Sequence, residues 1–314
     1  MCETVDAQPK SISQLCGQSG VIDQVLVALD AAQIDGKKFD DSLLVGPPGC
    51  GKSQVASVIA NEMAEDCHEV LGQSLSSLAD LNALLLQASH RSVVHIDECH
   101  ELDKSIQTAL YLALDKRILF IGGRGRTPQG IPIANFTLLL STTDEYCLLQ
   151  PLRDRMKLTL RFQFYSDAEL AKLTYQRAVA LGWDVSEDVI PSIAKRGRGT
   201  PRIALRLLQS CRRVARSLGA ETITMEHLVR ACELEGIDEA GLVPTEQQYL
   251  SILAEGSSRL NVIASRIGLP TRTVSEVTES FLIRSGLIEK DDQGRRQLTA
   301  HGRMHLSQSR KNTT

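Results

Sequence analysis

Residues 46–53 read Gly46-Pro47-Pro48-Gly49-Cys50-Gly51-Lys52-Ser53, and this stretch constrains the fold more tightly than any other. It fits the spacing G-x-x-x-x-G-K-[ST] of a phosphate-cradling P-loop. Glycines let the backbone curl until successive N–H groups point at one anion. Lys52 supplies a cation for the β- and γ-phosphates, and the Ser53 hydroxyl is placed to ligate Mg²⁺. The flanks agree. Ser42-Leu43-Leu44-Val45 is a short apolar run before the loop, and Gln54 to Met63 carries Val55, Val58, Ile59 and Met63 at helical spacing after it. Strand, glycine loop and helix in that order set the phosphates on a helix N-terminus, where the dipole favours anions.

A chain of 314 residues exceeds what one core usually organises, so two or three domains are expected. Hydrophobic content of 42% and charged content of 23% fit a soluble globular protein, and with aromatics at 4% the cores must be aliphatic. No apolar run reaches the length of a membrane span, and the first ten residues lack a signal-peptide pattern, so a cytoplasmic protein is expected. The eight cysteines form no C-x-x-C pair, which fits reduced thiols rather than disulfides or a zinc site. His95, Cys99 and His100 lie close together, as do Cys67 and His68, but without the paired spacing that tetrahedral metal sites favour. Net charge is −3, distributed as −6 over residues 1–165, 0 over 166–243 and +3 over 244–314. The C-terminal part is therefore the one best suited to meet a polyanion.

Val21, Val25, Leu26 and Leu29 predict a first helix, and Leu81, Leu84, Leu85 and Ala88 another over 78–89. Val93-Val94-His95-Ile96-Asp97-Glu98 then reads as a buried strand ending in two carboxylates, a Walker B pattern. Parallel sheets present such residues at the C-terminal strand edge. There Asp97 would hold Mg²⁺ through water and Glu98 would orient the attacking water. A helix over 102–114 follows. Two apolar runs then flank a basic Gly/Pro turn between 117 and 133, with Arg124 and Arg126 at its tip, which predicts a β-hairpin that contacts a partner or is simply solvated. Asn135 to Ser141 is a further strand, ending at Thr142 and Thr143 beside the P-loop. Pro151-Leu152-Arg153-Asp154-Arg155 places two arginines after a tight turn, suited to an arginine finger or to surface salt bridges.

From Ser166 only helices are expected, at 166–181, 186–196, 201–218 and 224–235, with Ser166 and Glu169 as a capping box. Pro201 suits a first helical turn, and Arg202 beside it is free to reach back toward the nucleotide. After a linker at 236–244, helices at 245–254, 259–267 and 271–286 and a hairpin over 286–299 predict a winged helix, with the third helix as recognition helix. Lys290, Arg295 and Arg296 on the wing are candidate phosphate contacts.

Together these segments resemble AAA+ ATPases, and more narrowly the RuvB family of bacterial Holliday-junction branch-migration motors. The resemblance runs in family order through Asn61-Glu62-Met63, Ile96-Asp97-Glu98, Phe136-Thr137-Leu138, Pro151-Leu152-Arg153-Asp154-Arg155, Phe164-Tyr165 and Gly199-Thr200-Pro201-Arg202-Ile203-Ala204. It implies an α/β AAA+ P-loop domain with a parallel sheet over 1–165, an all-α lid over 166–240 and a winged-helix DNA-binding domain over 241–314. It implies ATP and Mg²⁺ held by Gly46, Pro47, Gly49, Gly51, Lys52 and Ser53, with Asp97 as second metal ligand. Glu98 completes Walker B, Thr143 matches sensor 1, Arg155 the trans-acting finger with Arg153 its companion, Tyr165 the adenine pocket and Arg202 sensor 2. Lys290, Arg295 and Arg296 fall on the wing.

Such a protein works as a hexameric ring on duplex DNA at four-way junctions, docking a RuvA-like junction-binding protein through the 117–133 hairpin. Departures are Asp144-Glu145-Tyr146 after the sensor threonines, Cys50 in the loop, Ala7-Gln8-Pro9 near the start and the hairpin tip, and they fit a diverged paralogue. An AAA+ loader or initiator that binds DNA without processive migration is the alternative. A non-enzymatic regulator is opposed by the intact Lys52, Asp97, Glu98 and Arg155.

Overall fold

The computed structural model describes residues 8–63, 65–121 and 129–311. A first unit runs to Val185 and takes in Gly197–Arg206, while a second comprises Ser186–Arg196 and the chain from Leu207 onward.

The first unit is built on five parallel strands. In chain order these are β1 (Ser42–Val45), β2 (Cys67–Leu71), β3 (Val93–Asp97), β6 (Thr137–Thr142) and β7 (Leu158–Arg161), arranged in the order β2-β3-β6-β1-β7. A separate antiparallel hairpin, β4 (Ile118–Ile121) with β5 (Gln129–Pro132), leaves the body between β3 and β6. Successive strand side chains point to opposite faces, and the chain exploits this. Leu44, Val93 and Leu139 face α1 (Ser19–Ile34) and α2 (Lys52–Glu62), meeting Val25, Leu29, Val55 and Ile59. Leu43, Val94, Ile96, Leu138 and Leu140 face α3 (Leu78–Gln87) and α4 (Lys104–Lys116), meeting Leu81, Leu85, Ile106 and Leu110. Burying one such aliphatic side chain is worth about 1.5–3 kcal/mol, so two full layers fix the register of the central strands.

A short helix α5 (Gln150–Arg153) precedes β7, and α6 (Asp167–Ala180) follows the sheet. The predicted capping box is present: the Glu169 amide donates to Ser166 Oγ, and the Ser166 amide donates to Glu169 Oε2 at 2.8 Å. Two expectations are corrected, and two strands are added. Leu26 is 40% exposed rather than core, because it lies off the Val21–Val25–Leu29 stripe. Strands β2 and β7 carry no sequence expectation, yet they form both sheet edges. The segment after Ser166 is not purely helical, since two-residue strands occur at Asp184–Val185 and Thr222–Ile223.

The second unit holds α7 (Val189–Arg196), most of α8 (Pro201–Ser217) and α9 (Met225–Glu235), then the predicted winged helix. There α10 (Pro244–Ala254), α11 (Leu260–Ile267) and a helical run over 271–284 enclose Tyr249, Leu250, Ile263, Val274 and Leu282. The third run is α-helical at its ends and π-helical at Val274–Glu279. Wing strands Ile288–Lys290 and Arg296–Leu298 pair antiparallel. A terminal helix, Ala300–Lys311, was not anticipated.

Candidate functional site

The loop between β1 and α2 sits at the C-terminal edge of the sheet. Gly49 has φ +74°, and a Cβ there would lie 2.9 Å from Thr200 Cγ2 and 3.0 Å from Arg202 Cβ. Gly51 has φ +94° and starts α2. Only glycine enters both places without strain. Lys52 is 5% exposed, and its ammonium donates to the carbonyls of Gly46 (2.8 Å) and Pro47 (3.0 Å). Burial pushes the Lys52 pKa down, and the Glu98 and Asp97 carboxylates pull it back up. Those carboxylates converge on the loop as predicted. The Ser53 hydroxyl donates to Asp97 Oδ2 at 2.7 Å. A hydroxyl and a carboxylate oxygen side by side at a helix N-terminus are the hard donors that Mg²⁺ takes.

Glu98 adopts the left-handed conformation, φ 49° and ψ 47°, directly after β3. Its Oε2 is buried without a hydrogen bond. His100 Nδ1 approaches that oxygen at 3.4 Å but bonds instead to Thr142 Oγ1 at 3.2 Å. A buried, unsatisfied carboxylate oxygen beside a phosphate loop is a docking point for water.

The two threonines at the end of β6 divide their tasks. Thr142 is buried, and its hydroxyl accepts from the Asp144 amide at 2.9 Å, whereas Thr143 is exposed at the strand end. The acidic pair that follows serves the chain itself. Asp144 accepts from the Tyr146 amide, and Glu145 takes both ends of the Arg161 guanidinium at 2.9 and 3.0 Å.

Beside the loop lies a cavity of about 350 Å³, lined among others by Cys16, Gly17, Tyr165, Gln176, Pro201 and Leu205. Tyr165 places its hydroxyl 3.5 Å from the Cys50 carbonyl, and its ring would clash with any Cβ on Gly17. A cavity beside a phosphate loop that mixes apolar side chains such as Leu15, Ile22 and Leu205 with polar ones such as Gln54 and Gln176 suits a purine ring. Arg202 sits on the first turn of α8, packed against Gly49.

Two groups of predicted residues lie elsewhere. Arg155 donates through Nε to Asp115 Oδ1 at 2.7 Å and through Nη1 to the Pro151 carbonyl. Its guanidinium stands 4.8 Å from the Tyr111 ring. It lines a second cavity with Lys38, Asp41 and Asn135, which precede β1 and β6, so it lies at the opposite edge of the sheet from its own P-loop. Arg153 stacks 5.5 Å from the Tyr146 ring.

On the wing, Arg295 is exposed and donates to the Ser257 carbonyl at 2.9 Å. Lys290 is half exposed and pairs with Glu279 at 2.9 Å. Arg296 is a correction. Its side chain is 12% exposed and turned inward onto Glu279, itself 1% exposed, with Nε and Nη2 at 3.1–3.2 Å. It braces the wing rather than facing outward. The hairpin tip, residues 122–128 with Arg124 and Arg126, lies outside the described residues, as does Ala7. Among the described residues no group of three or more His, Cys, Asp or Glu is placed to hold a metal ion. No described helix is long and apolar enough to cross a membrane.

Three family models cover nearly all of the chain. That of the Holliday junction DNA helicase RuvB P-loop domain matches residues 7–162, the RuvB AAA lid domain 165–238 and the RuvB C-terminal winged helix domain 239–307. The Holliday junction branch migration complex subunit RuvB of Fervidobacterium nodosum is 34% identical over 300 residues, covering 93% of this chain and 86% of that protein. The protein of the same description from Mycobacterium bovis is 35% identical over 298 residues, covering 93% and 87%. The solved structure of the Thermotoga maritima RuvB Holliday junction branch migration motor superposes with a TM-score of 0.81 at 32% identity, covering 96% of this chain and 98% of that one. With the loop, the paired carboxylates, the lid helices and the wing matched in order, the chain belongs to the RuvB family.

Proposed function

We propose that this chain is an ATP-driven DNA motor that hydrolyses ATP in a ring to translocate duplex DNA at four-way junctions. The observation that carries the reading is the convergence of Lys52, the Ser53–Asp97 pair and the under-bonded Glu98 on one loop. In this reading Gly46, Pro47, Gly49 and Gly51 wrap the phosphates with backbone N–H groups, and Lys52 exchanges its loop carbonyls for phosphate oxygens. Magnesium, held by Ser53 and Asp97, would neutralise charge on the phosphate oxygens. Glu98 orients the attacking water and takes its proton, while Thr143 and Arg202 contact the γ-phosphate side. Tyr165 covers the base. Arg155, with Arg153 beside it, serves a neighbouring subunit's site in a hexameric ring.

The domain division proposed is 1–165 for the ATPase, 166–240 for the lid and 241–314 for the winged helix. Lys290 and Arg295 contact DNA phosphate, supported by the exposure of Arg295 and by the half-exposed Lys290 ammonium, which also pairs with Glu279. The 117–133 hairpin docks a RuvA-like protein, supported by exposed Phe120 (54%) and Ile131 (37%) on its strands. None of the seven described cysteines is in a disulfide, which fits work in the reducing cytoplasm.

The test is ATPase rate at fixed protein with a synthetic four-way junction, duplex or single strand, for wild type and Glu98→Gln. Stimulation by junction or duplex that vanishes in Glu98→Gln is expected. Hydrolysis indifferent to every DNA would replace the motor with the loader or initiator reading.

A further inference from the structure

Two residues behind the Walker B aspartate, the sheet is polar where its neighbours are aliphatic. His95 on β3 is 1% exposed and Ser141 on β6 is fully buried. His95 Nε2 lies 2.7 Å from Ser141 Oγ, and Nδ1 lies 3.4 Å from Glu69 Oε1 on β2. Three adjacent strands are thus joined through side chains. The carboxylate can only accept, so Nδ1 is the donor toward Glu69, and the Ser141 hydroxyl, which can donate or accept, bonds to Nε2. The bond to His95 also holds the Glu69 carboxyl below its usual range.

Strand periodicity gives the arrangement its meaning. Residues i and i+2 share a face, so His95 stands directly behind Asp97 on β3, while Ser141 lies next to Thr142, the last residue of β6, and Thr143 follows the strand end. The last pair of the β3–β6 ladder is Ile96 with Leu140. The His95–Ser141 bond therefore ties the two strands at the active-site end of their ladder. His100 and Thr142 make a second histidine–hydroxyl contact just past it, at 3.2 Å. Asp97 and Glu98 lie between the two ties. Stability alone does not account for the inner tie, since a buried hydrogen-bonded pair can be exchanged for apolar groups of like shape at little net cost. What apolar packing lacks is direction, and a hydrogen bond has it.

We propose that His95 and Ser141 are positioning residues that fix the separation of the strand ends bearing Asp97 and Thr143. Neither lines the cavity beside the P-loop. The role rests on the ATPase reading above, because it concerns placement of that reading's carboxylates.

The test uses the full chain carrying Ser141→Ala, His95→Phe, both together, or His95→Gln, which keeps an acceptor for the serine. Measured are kcat and KM for ATP, affinity for a fluorescent ATP analogue, the thermal midpoint, and amide exchange at residues 96–98 without nucleotide. Each single variant is expected to lower kcat about tenfold, the scale of a sub-ångström misplacement. KM and affinity stay within about twofold, exchange at 96–98 quickens, and the double variant is no worse than either single. His95→Gln recovers part of the loss. Unchanged kcat in an active background, multiplicative losses in the double, or losses that track the thermal midpoint would overturn the positioning role alone. Wild-type protein that hydrolyses no ATP would overturn the ATPase reading and take this role with it.

Discussion

Replacing Arg296 by alanine separates a brace from a DNA contact. Glu279, 1% exposed in the π-helical turn of the recognition helix, receives three bonds from Nε and Nη2 of Arg296, one ion pair from Lys290 and an approach of 3.5 Å from the Tyr249 hydroxyl. Removing one partner of a buried ion pair costs about 3–5 kcal/mol. Lys290 remains within reach of the carboxylate, so the lower end applies, about 3 kcal/mol. The single tryptophan, Trp183, lies outside the unit concerned, so its fluorescence is the wrong probe. Amide exchange in α10 and α11 of the whole chain reads the effect directly. A loss of about 3 kcal/mol makes core exchange faster by roughly 150-fold, at 1.4 kcal/mol per decade. Arg295→Ala is the contrast. Its side chain is exposed and makes one carbonyl bond, so core exchange should not change. Its DNA affinity should drop, with the salt slope smaller by about one. Combining Glu279→Leu with Arg296→Met should return exchange toward wild type, since an apolar pair removes the desolvated charge. Arg296→Ala that weakened DNA binding while leaving exchange untouched would refute the brace and return Arg296 to the DNA face.

Gly49→Ala should lower nucleotide affinity at least about tenfold in a fluorescent-analogue titration, since φ +74° and contacts at 2.9–3.0 Å leave no room for Cβ; native affinity would show that the loop yields. Arg155→Ala should abolish turnover, a loss of about 10³ in kcat, with nucleotide binding intact, and wild-type activity per subunit should decline on dilution through the assembly range. Activity flat across that range would exclude a finger acting between subunits.

The legible parts of this chain were those with strong local chemistry. The P-loop, the Walker B strand, the capping box at Ser166 and the turns of the winged helix each announce themselves within ten residues. The edge strands did not. In β2, Cys67–Leu71, no residue is buried, and in β7 only Leu160 is, so neither carries an alternating apolar signal. The terminal helix is polar over most of its length, with His, Ser, Gln and Arg outnumbering its apolar residues, and so gives a weak periodic pattern. Arg296 was misassigned for a reason the sequence did contain. Neighbouring strand residues point to opposite faces, so Arg295 and Arg296 cannot both face outward, and the isolated Glu279, three residues before core Leu282, marks where the inward one goes. His95 was readable in the same way, as the residue sharing the face of Asp97, but its partners lie 46 and 26 positions away in sequence.

Arg155 shows how a single chain can imply an assembly. Its guanidinium is held by Asp115 and Tyr111 of α4 at the edge where the strands begin, alongside Lys38, Asp41 and Asn135. The P-loop leaves the other end of β1, where the Gly46 amide donates to the Thr142 carbonyl. Four residues of β1 at about 3.3 Å each put the two edges roughly 13 Å apart through a packed core. An arginine side chain cannot cross that interior, and the cis route would require dismantling both aliphatic layers. The pair with Asp115 is a bidentate ion pair at the surface, where water screens it and a phosphate can compete for the guanidinium. If Arg155 serves phosphoryl transfer as proposed, then, barred from its own phosphate site, it can do so only when a second copy of the chain brings its loop to that edge.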